Sequence, residues 1–337
     1  MSEKNEWPSL WYRPPGTFVR GVTYLIRWFL KWRNSQISKA PRVAPGTLIV
    51  VVGNIVIGGT GKTPIVAELA NFLRNSGLRV GIVSKGYRGR VSNWPIFVDH
   101  TSKPADVGDE PVLLAVKTGC PVVVCKNRTK AVELLVHNNK LDCILADDGM
   151  QSYQFWRDIT IVVFNADQGI GNNTLIPFGP MRDVKSTVYN CDAMVMRDSE
   201  SPINSAISLG IEPLIPSFSS NASISRIYLQ DYPEKIITQL LIKKNTFNAI
   251  AGIARPKNFF SALRRLKIKI KPYSFPDHYN YKKNDLMFDG EPIITTEKDA
   301  LKLKGLTSSP IWIVAIQMHQ EELNNWLLKK FCREKMQ

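Results

Sequence analysis

Short apolar runs alternate with amphipathic segments over most of this 337-residue chain. Apolar runs at 48–52, 79–84, 121–125, 142–146, 159–164 and 192–196 read as buried strands, and 62–74 and 129–138 carry helical spacing between them. Near-continuous apolar strands interleaved with helices predict an α/β fold, a doubly wound and mostly parallel sheet covered on both faces. The polar stretch SFSSNASIS at 217–225 reads as a boundary. Beyond it the pattern restarts with TFNAIAG at 246–252, a helix at 256–266, strands in EPIITT and IWIVAI, and a helix at 321–332. KAPRVAPGT at 39–47 reads as a connector. The expected division is therefore a leader at 1–40, a larger domain at 41–216, and a second, smaller α/β domain at 217–337 that closes a cleft.

The leader has its own pattern. FVRGVTYLIRWFLKWR carries Arg20, Arg27, Lys31 and Arg33 within its apolar run, too much charge for a bilayer span and no match to a secretory signal. Wound as a helix, it places Arg20, Tyr24, Arg27 and Lys31 on one face, with Phe18, Val22, Leu25, Ile26, Phe29 and Trp32 over the opposite half. Four of the eight tryptophans, Trp7, Trp11, Trp28 and Trp32, lie in this segment. A basic stripe opposite an aromatic-rich apolar face suits an N-terminal amphipathic helix lying in a membrane interface. The same pattern also suits a helix packed on the protein's own core.

Composition narrows the partner without choosing it. An apolar content of 44% supplies cores for folded domains. The 44 Lys plus Arg against 29 Asp plus Glu leave a formal charge of +15, which favours nucleic acid, an anionic membrane or an anionic substrate. The five scattered cysteines show neither a CxxC pair nor a nearby His at ligand spacing, so they read as reduced cytosolic thiols without a structural zinc.

Candidate chemistry begins in GNIVIGGTGKTP at 53–64. Gly58, Gly59, Thr60 and Gly61 follow an apolar strand and allow backbone amides to turn onto phosphates. Lys62 offers a cation to the β/γ oxygens and Thr63 a hydroxyl to Mg²⁺. The loop departs from the usual eight-residue pattern, with Val56 in place of the first glycine. A nucleotide site also needs an acidic strand end, and DCILADDG supplies Asp147 and Asp148, a costly pair at an apolar terminus unless a cation compensates them. In VGDEPVLLA, Asp109 and Glu110 stand where an apolar helix starts, and Asp109 reads either as a helix cap or as the proton acceptor for an attacking hydroxyl. Among the four histidines, His278 in YSFPDHYNY sits in a Pro- and aromatic-rich loop suited to catalysis or substrate contact, whereas His100, His137 and His319 read as structural or surface residues. Arg182, in the glycine-rich run at 166–183, reads as a contact for an anionic substrate group or as part of a surface turn.

Taken in order, VGNIVIGGTGKTP, SKGYRG, GDEPVLLA, DDGMQ, GIGNNTLIPFGPMRD, AGIARPKNFF, DHY and TTEKDALKL resemble the tetraacyldisaccharide 4′-kinases, the lipid A 4′-kinases of Gram-negative bacteria. The resemblance runs from the basic leader to about Lys304. It implies a P-loop NTPase-like kinase that uses ATP and Mg²⁺ to phosphorylate the 4′-hydroxyl of tetraacyldisaccharide 1-phosphate, giving the lipid A 1,4′-bisphosphate precursor. It also implies a peripheral or monotopic protein on the cytoplasmic face of the inner membrane, with no nucleic acid and no obligate protein partner. By the same resemblance Asp109 is the general base with His278 as its partner, and Lys62 holds the phosphates. Thr63, Glu110, Asp147 and Asp148 form the Mg²⁺ environment, and Arg128 and Arg182 lie near the substrate. Four positions depart from the family pattern: Ser152 replaces the His after DDGxQ, Asp183 the Glu after the Arg of GPxR, Phe178 a small residue, and Lys85 an Arg. The alternative is a partitioning-type ATPase that works on a membrane or nucleic acid and dispenses with Asp109 and His278.

Overall fold

The computed structural model describes residues 8–34, 40–90, 94–152, 155–288 and 291–334. Trp7 and residues 35–39, part of the expected leader and connector, lie outside them, as do the side chains of Lys31 and Arg33. The first part of the chain forms α1 (Thr17–Asn34), β1 (Leu48–Gly53), α2 (Lys62–Asn75), β2 (Val80–Ser84), β3 (Ile96–Val98), α3 (Pro104–Val107), α4 (Asp109–Thr118) and β4 (Val122–Val124). It continues through α5 (Arg128–Asn138), β5 (Cys143–Asp147), β6 (Ile159–Asn165), β7 (Ala193–Arg197) and α6 (Pro202–Ser208). The rest comprises β8 (Ser217–Leu229), β9 (Tyr232–Ile236), α7 (Gln239–Lys244), β10 (Phe247–Ala251), α8 (Pro256–Arg265), β11 (Ile270–Ser274), β12 (Ile293–Thr296), α9 (Glu297–Leu303), β13 (Ile311–His319) and α10 (Glu321–Glu334).

One sheet runs through the molecule in the order β11-β10-β12-β13-β8-β7-β6-β1-β5-β2-β4-β3, with β9 paired to β8. From β4 to β7 neighbouring strands are parallel, and β3 closes that edge antiparallel to β4. Strands β11, β10, β12 and β13 form a second parallel set. The seam between the sets is β8. Ser217 to Ser220 pair in parallel with β7, and Asn221 to Leu229 pair antiparallel with β13. The polar stretch at 217–225, expected as a boundary, is thus a strand. It lacks an apolar signature because only Ser220 and Ile227 along β8 are fully buried, and backbone pairing on both edges holds it in place.

The alternation along β1 sends side chains to two cores. Leu48, Val50 and Val52 pack with Ile65, Val66 and Leu69 of α2, Leu114 of α4, and Leu323, Leu327 and Phe331 of α10. Ile49 and Val51 face the other way, with Leu135 of α5, Phe164 and Leu30 of α1. The second parallel set is also covered on both faces, by α8 through Phe260 and Leu263 and by α9 through Ala300 and Leu303. Helix α10, last in the chain, therefore lies against the first parallel set rather than the second. Its neighbouring Gln320 reaches Ile65 O at 3.4 Å.

Helix α1 divides into three sectors. Thr23 and Leu30 are buried, with Val19, Val22 and Ile26 half-buried on the same stripe against the body. Phe18, Leu25, Trp28, Phe29 and Trp32 form an exposed apolar stripe, and Arg20, Tyr24 and Arg27 lie on the remaining side. Packing on the body therefore uses only part of the apolar surface. Phe164, fully buried in the sheet's core, provides a test of that core: Phe164→Ala should cost about 3–5 kcal/mol, read as a lower denaturant midpoint with an unchanged slope. A midpoint equal to that of the unmodified chain would contradict the placement.

Candidate active site

The phosphate loop follows β1, at the carboxyl edge of the sheet where open α/β sheets place their ligands. Gly58 and Gly61 have positive φ, at 115° and 77°, and Gly61 caps the start of α2. Side chains would not fit here. A Cβ at Gly59 would meet Ala254, and one at Gly61 would collide with the guanidinium of Arg197. Asn54 braces the loop from within, donating to Val56 O at 2.7 Å and to the Thr60 hydroxyl at 3.1 Å. Val56, the departure from the usual pattern, is buried and bridges to Met181. Its place in the pattern is used for packing.

Strand β5 runs in register with β1, Asp147 opposite Val52, so its acidic end arrives beside the loop. Thr63 donates its hydroxyl to Asp147 Oδ2 at 3.0 Å. Asp148 turns through a left-handed backbone, φ 52°, to meet Lys62 at 3.2 Å and Arg182 at 3.0 Å. The two carboxylates are driven apart electrostatically. Burial, then the charge of Glu110, pushes Asp147 up to about 7 against the pull of Lys62. Burial acts on Asp148 too, but Lys62, Arg182 and Arg128 outweigh it and bring its carboxyl down to about 2.

Arg128 supports this edge from beneath. Buried at the start of α5, it donates to the carbonyls of Asp147 and Asp148 at 2.9 and 2.6 Å and to the Ser152 hydroxyl at 2.6 Å. Expected near the substrate, its guanidinium is instead committed to the main chain of the acidic pair. Ser152 supplies an oxygen partner to Arg128 where the family pattern has an imidazole. Asp183 accepts from Val184 N at 2.7 Å and the Thr187 hydroxyl at 3.0 Å, a local turn role.

The second carboxylate centre lies at the start of α4. Gly108, with φ 93°, caps that helix, so Asp109 occupies its first turn and does not serve as the side-chain cap that its position suggested. Asp109 is buried and pairs through Oδ2 with His278 Nδ1 at 3.2 Å and with Lys302 Nζ at 3.1 Å. Burial alone would raise its carboxyl. The His278 hydrogen bond and the charges of Lys302 and Lys298 prevail and hold it below the ordinary range. His278 has φ 60°, the left-handed region that costs a non-glycine residue about 1–3 kcal/mol. It is fixed by donating its backbone N–H to Gly252 O and by the edge of the Tyr87 ring. Lys298 lies 3.3 Å from His278 Nε2. An ammonium can only donate, so this contact suits a ring with its proton on Nδ1, directed at Asp109, while Asp277 Oδ2 also faces Nε2, at 3.6 Å.

Residues far apart in sequence thus converge: Lys62 and Thr63, Glu110 with Asp109, Asp147 and Asp148, Arg182, and His278. Reading the sequence missed Lys302 and Asp299, although both stand in TTEKDALKL, because nothing in a short polar helix marks which lysine becomes buried. It also missed Arg197 against Gly61 and Arg255, which donates to Asn165 at 2.6 Å.

Among the described residues no three His, Cys, Asp or Glu side chains form a ready-made metal cage. Mg²⁺ beside a nucleotide does not need one, since one or two carboxylates, phosphate oxygens and waters complete its shell. The oxygens present fit that role. Among the described residues, Asp147 Oδ1 is buried with no hydrogen-bond partner, and the Thr63 hydroxyl is adjacent. Without a cation, Asp147 stays protonated in the folded chain over a pH range where the unfolded chain ionises. Folding then takes up a proton, and stability falls as pH rises from the ordinary carboxylate range through about 7. Asp147→Asn, melted without divalent cations, should therefore be more stable than the unmodified chain at pH 8, and the gain should shrink toward pH 5. A gain independent of pH would contradict this.

Comparison with known proteins shows the family of the chain. A family model for tetraacyldisaccharide-1-P 4′-kinase, LpxK, matches residues 17–332. The tetraacyldisaccharide 4′-kinase of Alkalilimnicola ehrlichii is 37% identical over 319 residues, covering 94% of this chain and 90% of that protein. That of Legionella pneumophila strain Lens is 35% identical, covering 91% and 88%. The crystal structure of LpxK from Aquifex aeolicus in complex with ATP superposes with a TM-score of 0.75 at 25% identity, covering 94% of this chain and 99% of that one. These matches favour the kinase over the partner-switching ATPase, and the chain belongs to the tetraacyldisaccharide-1-phosphate 4′-kinase family.

Proposed function

We propose that this chain transfers the γ-phosphoryl group of ATP to the 4′-hydroxyl of tetraacyldisaccharide 1-phosphate, with Asp109 accepting the hydroxyl proton. The activity is that of the family to which the chain belongs. The observation that supports this assignment of the base is the 3.2 Å contact between Asp109 and His278, beside the carboxylates of the phosphate loop. A partner-switching ATPase has no alcohol to deprotonate and no use for such a pair.

Each residue then has a task. The loop amides and Lys62 hold the phosphates, which compete with Asp148 for the same ammonium. Thr63 and Asp147 would hold Mg²⁺, with Glu110 and Asp148 completing its acidic surroundings. When bound, the ion neutralises charge on the transferring group. Arg182 stands beside Asp148, where a phosphate or an anionic headgroup would meet it, and Arg128 keeps the acidic strand end in place. Asp109, ionised at neutral pH, takes the proton from the 4′-oxygen as that oxygen bonds to phosphorus and ADP leaves. Because phosphoryl transfer asks little covalent chemistry of the protein, orientation of Asp109 by His278 counts for more than basicity. Residues 217–337 supply His278 to a cleft whose other wall is 41–216, and closing it excludes water from the reaction.

The acceptor's acyl chains stay in the bilayer, so the enzyme has to reach the surface. No described helix is long and apolar enough to cross a membrane. The exposed stripe of Phe18, Leu25, Trp28, Phe29 and Trp32, flanked by Arg20 and Arg27, suits peripheral attachment at the cytoplasmic face of the inner membrane. Next to it, a cavity of about 430 Å³ is lined by Tyr24, Arg27, Trp28, Asn173 and Lys185, rings and cations suited to an anionic lipid headgroup.

With γ-labelled ATP, Mg²⁺ and the disaccharide in detergent micelles, Asp109→Ala should lower turnover by about 100- to 10,000-fold while ATP binding persists. Near-normal transfer would remove Asp109 from its role. Leu25→Glu combined with Phe29→Glu should reduce co-sedimentation with anionic vesicles and leave ATP binding unchanged; undiminished sedimentation would count against attachment through α1.

A further inference from the structure

One further carboxylate and one ammonium are buried behind the proposed base. Lys302, on α9, has a side chain 5% exposed, and its Nζ lies 3.1 Å from Asp109 Oδ2 and 3.3 Å from Asp299 Oδ1. The ammonium also sits over the Tyr281 ring, 5.4 Å from its centroid. Asp299 is itself fixed. It is fully buried and accepts from Gly252 N at 3.0 Å, the Thr296 hydroxyl at 2.8 Å and the Tyr281 hydroxyl at 3.0 Å. An anchor held by three donors gives Lys302 one address.

The helix carrying Lys302 is registered against the helix carrying Asp109 at both ends. Asp109, at the start of α4, meets Lys302 near the end of α9, and Lys117, near the end of α4, meets Glu297, at the start of α9, at 2.7 Å. Glu297 accepts in addition from Ile316 N at 3.3 Å, which ties the second pair into β13. Two oppositely placed ion pairs along antiparallel helices fix both the spacing and the slide of one helix on the other.

Resting on the reading of Asp109 as the acceptor base, we propose that Lys302 is a positioning residue for the transfer, held by Asp299 so that its ammonium orients the Asp109 carboxylate. A buried ion pair adds little stability over well-packed apolar side chains, so the consequence of this one is geometric. Among the described residues, the contacts to Asp109 from His278 and from Lys302 both fall on Oδ2. That leaves Oδ1 as the oxygen presented to the 4′-hydroxyl. A hydrogen bond from His278 and an ion pair with Lys302 on one oxygen, both supplied from beyond residue 217, also make the base complete only when the two parts of the chain are docked.

The test is a double-mutant cycle in the micellar transfer assay, using the full chain. Lys302→Met should lower kcat on the order of 10- to 100-fold with KM for ATP unchanged, and Lys302→Arg should retain most of the activity. In an Asp109→Asn background, Lys302→Met should change the residual rate by less than about twofold, because the group it positions is already gone. A loss of the same factor in both backgrounds, or no loss in either, would overturn the proposal. Should Lys302→Met fail to fold by thermal melting, Tyr281→Phe, which removes one donor from Asp299, replaces it: a several-fold fall in kcat confined to the Asp109 background is expected, and an equal fall in both overturns it. An unmodified chain that puts no label into the lipid would instead remove the function itself.

Discussion

Carboxylates drawn out of water have to be met by cations or donors, and the site depends on how two buried ones, Asp109 and Asp147, and the half-buried Asp148 are met. Asp147 and Asp148 end a strand that lies in the middle of the sheet, and Asp109 opens a helix packed against it. Ionised and alone, the two buried ones would each cost several kcal/mol. Asp148 is answered by Lys62 and Arg182, Asp109 by His278 and Lys302, and Asp147 has the Thr63 hydroxyl alone on one oxygen. The unequal answers set the chemistry. On the proposed reading, the well-compensated Asp109 stays charged and oriented, whereas the under-compensated Asp147 suits a divalent cation.

The same requirement joins the two parts of the molecule. Asp109 belongs to the first parallel set and its two partners to the second, and the pairing across them works because β8 carries one sheet through both. Further contacts cross the same seam. Arg88 donates to Asp277 O at 2.6 Å, and Lys117 pairs with Glu297. The carboxylate proposed as the base therefore lies where the two sets meet, which is where a closing cleft would exclude water.

Much of this was legible in the sequence. The central strands fell within one residue of their expected bounds, since β1, β5 and β6 are buried along their whole length and so read as unbroken apolar runs. Strands β8 and β9 escaped because, apart from Ser220 and Ile227, their side chains are half-buried or exposed, and pairing of the backbone leaves no mark on composition. The glycine-rich loop, the acidic strand end and the GDEP segment were each visible as local chemistry. Their convergence was legible only through the family resemblance, because Asp109 and His278 are 169 residues apart and the packing of α4 on the second set brings them together. Lys302 shows the same limit: a lysine in a short helix looks solvated until tertiary contacts bury it. Arg128 shows the converse, an arginine expected at the substrate whose guanidinium holds main-chain carbonyls.

The central claim is that this site phosphorylates an alcohol rather than releasing phosphate to water. The most direct measurement is the fate of the γ-phosphate when the unmodified chain turns over ATP in the presence of tetraacyldisaccharide 1-phosphate, followed by phosphorus–proton NMR correlation on the extracted lipid. The account predicts a new phosphomonoester coupled to the proton on the 4′-carbon, formed in step with ADP. ADP accompanied only by inorganic phosphate, with the disaccharide unchanged, would contradict it.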